Sequence, residues 1–473
     1  MDTKFLYRFR PLARLFGKDY SPGELEKREI YFASPEQLND PLEGYKDLVW
    51  KGDEVKWRNL YRHYSTCVIQ HCVVYTLSGQ TTDVYREILI HNYPEHLSPK
   101  LAAVVNSVNE ELLETPEMKE YISAVSQTKR KIRAPELTIH LRVIHRYTLA
   151  IAFKHLVRAN ACDSIHEKIF ARNNVEYLDH LRALAQTLKE ANDQEIFDEA
   201  LQSVSLELDE ARILTTQRGL PQQLFFLTIE FPDEFCKALE SLTYPNWYTA
   251  CFMSECTNSS LWGTYGENHK GVCLKFKIET DGDQESLELD AVVGFSLRGN
   301  VRDKVRHNFY PIDYERAFVE IDFFNSIGTL PVPVLNKYWL SEHNRNIEYI
   351  GPDPDDEWRQ GYWKNFIEAV TVKLREWRFE NEYRLIVSPM VTDLTSSDDR
   401  KANYEFESLD GIIFGIKTSM EVKLEIIKTI ESMCISHDRK DFNFYQARYD
   451  PRSKKILHDK LNILNFRRSD SPS

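Results

Sequence analysis

Among the eight cysteines of this 473-residue chain there is no CxxC pair and no zinc-ribbon spacing. That argues against a zinc-finger scaffold and for reduced, mostly buried thiols, since a free cysteine behaves as a small hydrophobe. Long apolar runs are also missing. Stretches such as Ile412-Ile413-Phe414 fall far short of the roughly 20 residues needed to span a bilayer, so no transmembrane helix is expected. There is no basic excess either: 60 Lys and Arg stand against 73 Asp and Glu, a net charge of −13. No global field would draw such a protein onto nucleic acid. Lys129-Arg130-Lys131-Arg133 and Arg467-Arg468 are short basic clusters of the kind that usually form a solvated face. The opening Met1-Asp2-Thr3-Lys4 passes straight into Phe5-Leu6-Tyr7 without a secretory pattern, so a cytoplasmic protein with no membrane partner is expected.

What the chain does have is length for two or three domains and 42% hydrophobic residues to fill their cores. Residues 1–54 mix strand-like pieces with turns: Phe5-Leu6-Tyr7, a helix near Pro22 to Lys27, and Ile30-Tyr31-Phe32-Ala33 before the Asn39-Asp40-Pro41 break. Over 55–220 the period becomes helical, as at Val175, Leu178, Leu181, Ala185 and Leu188, and again at Ile196, Ala200, Leu201 and Val204. This middle third reads as a helical insert with room to dock a partner protein. From 221 to 466 short strands return at Ala250 to Met253, Gly271 to Phe276, Tyr383 to Val387 and Gly411 to Gly415. Helices are expected over Glu357 to Glu376 and Val422 to Met433, loops at Gly351 to Asp356 and Asp393 to Ala402, and a disordered tail at 467–473. The fold class is therefore α+β, a mostly antiparallel β core split by a large helical insert.

Four polar clusters interrupt the strand-like segments. In Tyr7-Arg8-Phe9-Arg10 alternation sends both guanidinium groups to one face. Such a pair suits a phosphate or pyrophosphate; it equally suits a solvated strand face. Ser34-Pro35 through Asn39-Asp40-Pro41 and on to Leu42-Glu43-Gly44 is either a capping and turn device or a set of ligand contacts at a strand end. In Leu261-Trp262-Gly263-Thr264-Tyr265 the two rings share a helix side, as core or as a flat platform for a nicotinamide or adenine ring. Last comes Lys373 to Arg384. If Glu380 and Glu382 lie on one extended segment, their Cα atoms are roughly 6 to 7 Å apart on one face. Either Arg8, Lys373 or Arg384 neutralises them as salt bridges, or they serve a cationic transition state. His63, Cys67, His71 and Cys72 could share a helical face, but Cys67-Val68-Ile69 reads as core, and no metal is expected.

Taken in order, Tyr7-Arg8-Phe9, Phe32 to Pro35 with Asn39-Asp40-Pro41, Leu261 to Tyr265 with His269-Lys270-Gly271, and Lys373 to Trp377 with Glu380, Glu382 and Arg384 resemble a largely prokaryotic family known as domain of unknown function 2971. The resemblance covers roughly residues 4–50 and 245–420 and supplies no activity. A second resemblance does. A strand-borne basic residue, an aromatic segment and a late Glu-x-Glu entering a strand look like ADP-ribosyltransferases, whose split β fold grips NAD, although the first strand here has no His. That resemblance implies NAD as substrate, Glu382 on the ribose 2′-hydroxyl and Glu380 orienting or deprotonating the acceptor. Arg8 would lie on pyrophosphate or ribose, with Trp262 or Tyr265 on nicotinamide. The remaining expected contacts are Tyr7, Ser34, Asn39, Asp40, Lys373 and Arg384. The acceptor would be a protein or a nucleic acid, and families of this kind act as toxins or phage-defence effectors. Two other classes stay open: a nucleotide-binding sensor or interaction module without turnover, and a nuclease. The latter is weakened because no Asp followed by Glu-x-Lys falls on the strands.

Overall fold

The computed structural model describes residues 4–17, 22–78, 85–170, 174–190, 222–282, 284–342, 356–388 and 396–461, with single positions 210, 213, 214, 216, 217 and 394. It divides into two compact units. Unit 1 comprises Met1–Tyr45, Pro245–Phe318 and Ile367–Ser473; unit 2 comprises Lys46–Tyr244 and Val319–Phe366.

The strands, in chain order, are β1 (Lys4–Arg10), β2 (Glu29–Tyr31), β3 (Asp47–Val49), β4 (Tyr248–Met253), β5 (Val272–Asp281), β6 (Gln284–Ser296) and β7 (Gly299–Pro311). They continue as β8 (Glu320–Asp322), β9 (Glu382–Val387), β10 (Lys401–Tyr404), β11 (Leu409–Phe414), β12 (Asn443–Asp450) and β13 (Lys455–Lys460). Unit 1 is an eleven-stranded sheet in the order β13-β12-β11-β5-β1-β4-β9-β7-β6-β10-β2. Every pairing in it is antiparallel except β11 with β12. A further pairing of β5 with β6 closes six of these strands into a ring. The fold is thus α+β with a mostly antiparallel sheet.

Period-2 alternation decides what fills the ring. Leu6 of β1, Ala250 and Phe252 of β4, Leu274 and Phe276 of β5, Leu287 and Leu289 of β6, Phe309 of β7 and Leu385 of β9 form one buried cluster. The opposite parity on β1 and β4, Phe9 and Met253, joins a second cluster with Trp262, Cys273 and Ile413. A helix over Met420–Ser436 packs Ile426 and Ile430 into the first cluster, and the Ser419 hydroxyl caps it by accepting from Val422 N–H. β1 and β4 share a single register pair, Tyr7 with Met253. β1 is otherwise laddered to β5 and β4 to β9, so the sheet is thinly joined along this line.

Unit 2 is mainly helical, with Glu54–Ser78, Pro99–Leu113, Pro116–Gln127, Ala134–Arg158, Asn174–Glu190 and Phe231–Thr243 as its longer helices. Ser98-Pro99 and Thr115-Pro116 start two of them with a hydroxyl cap and proline at the first position. Leu181, Ala185 and Leu188 are buried on the expected stripe. The unit also takes in 46–54, 221–244 and 319–366, which the sequence placed with the β core. Short β3 explains part of this, because it pairs in parallel with β8 at Leu48 and Ile321. His63 and His71 hydrogen-bond the carbonyls of Ile90 (2.8 Å) and Glu87 (3.0 Å), and burial lowers both imidazoles to about 4. They tie a loop to the long helix. The stretches 192–209 and 467–473, and the expected loop from 351, lie outside the described residues. The expected helix to Glu376 ends instead at Val370, where Lys373 N–H turns to the Asp313 carbonyl. No helix among the described residues is long and apolar enough to cross a membrane.

Candidate functional site

Unit 1 holds a cavity of about 330 Å³ lined by Arg8 and Arg10 of β1, Tyr31, Asn39, Glu43, Thr249 and Cys251 of β4, Tyr265, Lys373, Glu380, Glu382 and Arg384. By parity Arg8 falls on the Leu6 face, and Glu382 and Arg384 on the face opposite Leu385. They reach one cavity where β1 and β4 keep only their single pair.

The acidic end is a buried ion network. Arg384, fully buried, donates from Nε to Glu382 (2.7 Å), from Nη2 to Glu382 (3.2 Å), and from Nη1 to Glu43 (2.5 Å) and the Val370 carbonyl (2.9 Å). Lys373 Nζ donates to Glu380 (2.7 Å) and Glu382 (3.2 Å) and lies over the Trp377 ring. The Tyr265 hydroxyl donates to the other oxygen of Glu380. Burial alone would raise Glu382, but Arg384 and Lys373 outweigh it and hold the carboxyl down to about 2. Burial prevails at Glu380 and at Glu43, which both sit above the ordinary carboxylate range. Burial would lower Lys373, yet Glu382, Glu380 and Glu43 hold its amine protonated.

The basic end is built by β1. Neither arginine is a solvated strand residue, since Arg8 is 6% and Arg10 7% exposed. Arg10 forms a bidentate pair with Glu24, which begins the short helix Glu24–Lys27. Arg8 donates Nη2 to the Tyr31 carbonyl (3.1 Å) and lies over the Phe252 ring (5.4 Å), while its buried Nη1 has no hydrogen-bond partner among the described residues. Burial and then the charge of Arg10 lower Arg8 to about 9, so it remains a cation at neutral pH.

Several expected site residues fall elsewhere. Trp262 is core: it is fully buried, packs edge-on against Phe9 with ring centroids 5.0 Å apart, and donates Nε1 to the Cys256 carbonyl. Only Tyr265, at the end of the short helix Ser259–Thr264, reaches the cavity. Tyr7 faces the other way, edge-on to His458. Ser34 begins the 3₁₀ turn Pro35–Gln37, its N–H bonded to the Gln37 side chain (3.1 Å). Buried Asp40 accepts from Leu42 N–H (3.0 Å), an Asx turn. Asn39 does line the cavity. Glu380 and Glu382 are not on one strand. Glu380 ends a 3₁₀ turn, and left-handed Asn381 (φ 44°) swings both carboxylates onto Lys373.

Glu43 was missed by the sequence reading. Its only signal there was its place beside Gly44, which adopts φ +72° and where an added Cβ would meet the Trp247 ring at 2.8 Å. Two other hollows differ in their lining. A groove of about 760 Å³ in unit 2, lined by Arg58, Arg62 and Glu114, has no lining side-chain atom that is both buried and unpartnered. A cavity of about 450 Å³ beside His307 and Arg400 has buried His307 Nε2 and Arg400 Nε without hydrogen-bond partners, and among the described residues its one lining carboxylate, Asp399, is already bonded to Asn300.

No family model, curated protein or solved structure matches the chain.

Proposed function

We propose that this cavity takes one half of a dinucleotide of the NAD type and that the chain is an ADP-ribosyltransferase-type effector, of the toxin or phage-defence kind, acting on a protein or nucleic-acid acceptor. One observation carries the reading: Arg8, near the start of the chain, and the Glu380–Glu382 turn, late in it, line the same 330 Å³ space. That volume is at the lower end for small-molecule sites, which favours half of a dinucleotide over the whole. The two ends differ in charge as the substrate does. An arginine with a free N–H suits a phosphate oxygen. Clustered carboxylates in a water-poor site suit the positive charge that develops on ribose as the nicotinamide bond breaks. Tyr265 supplies the aromatic wall left once Trp262 is assigned to the core.

The test is nicotinamide release from labelled NAD, with candidate acceptors, by wild type, Arg8→Met and Glu380→Gln. Release by the wild type that falls at least tenfold in both variants is expected; equal release by all three would refute the assignment. A second reading, a nucleotide sensor without turnover, draws support from the Glu382 oxygens, both already bound by cations. NAD binding with no nicotinamide release would select it.

A further inference from the structure

Among the described residues that line the cavity, two carry a buried polar atom without a hydrogen-bond partner, Arg8 Nη1 and Glu43 Oε2, and these are opposite in kind, a cationic donor and a carboxylate acceptor. Elsewhere along the acidic end the oxygens are committed: both of Glu382 to Arg384 and Lys373, and those of Glu380 to Lys373 and Tyr265. Glu43 hydrogen-bonds through Oε1, to Arg384, while its Oε2 faces Lys373 Nζ only as an ion pair at 3.8 Å, beyond a direct hydrogen bond. Its position is set by the backbone: Glu43 N–H bonds the Asp40 carbonyl, and Gly44 locks the exit of the turn against Trp247. Burying an unsatisfied acceptor and an unsatisfied cationic N–H costs stability, and a ligand with one anionic and one hydroxyl group would relieve both.

We propose that Glu43, rather than Glu382, is the carboxylate that receives a sugar hydroxyl in this cavity, and that the ligand class is a sugar phosphate whose phosphate lies on Arg8. This rests on the nucleotide reading above and assigns the ribose contact within it. It also explains why Glu43 accepts a hydrogen bond from Arg384 alone, with Lys373 at 3.8 Å, while Glu382 accepts from both.

The test compares binding of ribose 5-phosphate and of inorganic phosphate by calorimetry, using the full chain. The wild type should bind ribose 5-phosphate more tightly than phosphate. Glu43→Gln keeps an acceptor for Arg384 and should weaken ribose 5-phosphate about tenfold or more, the effect of one hydrogen bond to a charged group, while leaving phosphate binding unchanged. Arg8→Met should weaken both ligands. Melting curves confirm that each variant is folded; should Glu43→Gln melt early, Glu43→Asp keeps the charge but withdraws it and should give the same selective loss. Wild-type affinity in both Glu43 variants, or ribose 5-phosphate bound no better than phosphate by the native chain, overturns the assignment. Selective ribose 5-phosphate binding without any NAD turnover would sink only the transferase reading.

Discussion

Replacing Arg384 with methionine should loosen the middle of the sheet, and the size of the effect can be reached by two routes. The guanidinium is fully buried and binds both Glu382 and Glu43. Removing one partner of a buried ion pair costs about 3–5 kcal/mol, because the charge left behind is uncompensated. Independently, Glu382 is held at about 2 against an ordinary 4.5, a difference worth about 3 kcal/mol. The sign with pH follows. In the wild type the depressed carboxyl adds stability above pH 4.5 that is lost as pH falls toward 2. In Arg384→Met, only Lys373 remains to neutralise three carboxylates, and burial raises them. Their contribution is then present below the unfolded value and lost as pH rises, so the damage is greater at pH 7.5 than at pH 4.5. Hydrogen exchange of the β4 and β9 amides reads this directly. Protection should drop by about two to four decades at pH 7.5. Less than a tenfold drop there, or an equal drop at pH 4.5, would refute the reasoning.

Other substitutions separate the site from its scaffold. Trp262→Phe should lower the melting temperature through lost packing and the lost bond to Cys256, yet leave NAD affinity within about twofold; a tenfold loss of affinity in a folded variant would restore the ring to the ligand. Tyr265→Phe removes the donor to Glu380 and should cost about 1–3 kcal/mol in denaturant melts, together with weaker NAD binding. Gly44→Ala must hold a left-handed φ and displace Trp247, so a loss of at least about 1 kcal/mol is expected in the same melts, with reduced ribose 5-phosphate affinity. Unchanged stability would show that the turn yields easily.

Where local pattern dictates the answer, the sequence is a sufficient guide. The strands at 248–253, 382–387 and 409–414 and the helix Met420–Ser436 each carry their own apolar period. The long hairpin β6–β7 does not, for its β7 half is a run of charged side chains such as Arg302, Lys304 and Arg306 that are paired only across strands and to neighbouring carboxylates. The site divides in the same way. Arg8, Lys373, Glu380, Glu382 and Arg384 stand out because ionisable residues within strand-like segments have no local explanation, and all five line one cavity. Trp262 is expected at the ligand and lies in the core, and Glu43 is not singled out by pattern, because their places depend on distant partners: Phe9 and Cys256 for the first, Arg384 and Trp247 for the second.

The energetics of the network bear on whether it is only structural. A buried ion pair can often be replaced by packed apolar residues of similar volume at no loss of stability, or at a gain. Five charged side chains, Glu43, Lys373, Glu380, Glu382 and Arg384, nonetheless occupy this part of the unit, each with a side chain no more than 5% exposed. Satisfied internally they would need explanation only as a device for fixing one packing. Their hydrogen bonding is incomplete: among the described residues Glu43 Oε2 has no hydrogen-bond partner, only the 3.8 Å ion pair with Lys373, and Arg8 Nη1, on another residue that lines the cavity, has none either. A network kept for packing alone gains nothing from leaving a buried carboxylate oxygen without a hydrogen bond. One kept for a ligand needs just those two atoms free, with the remaining bonds of the network holding them in place.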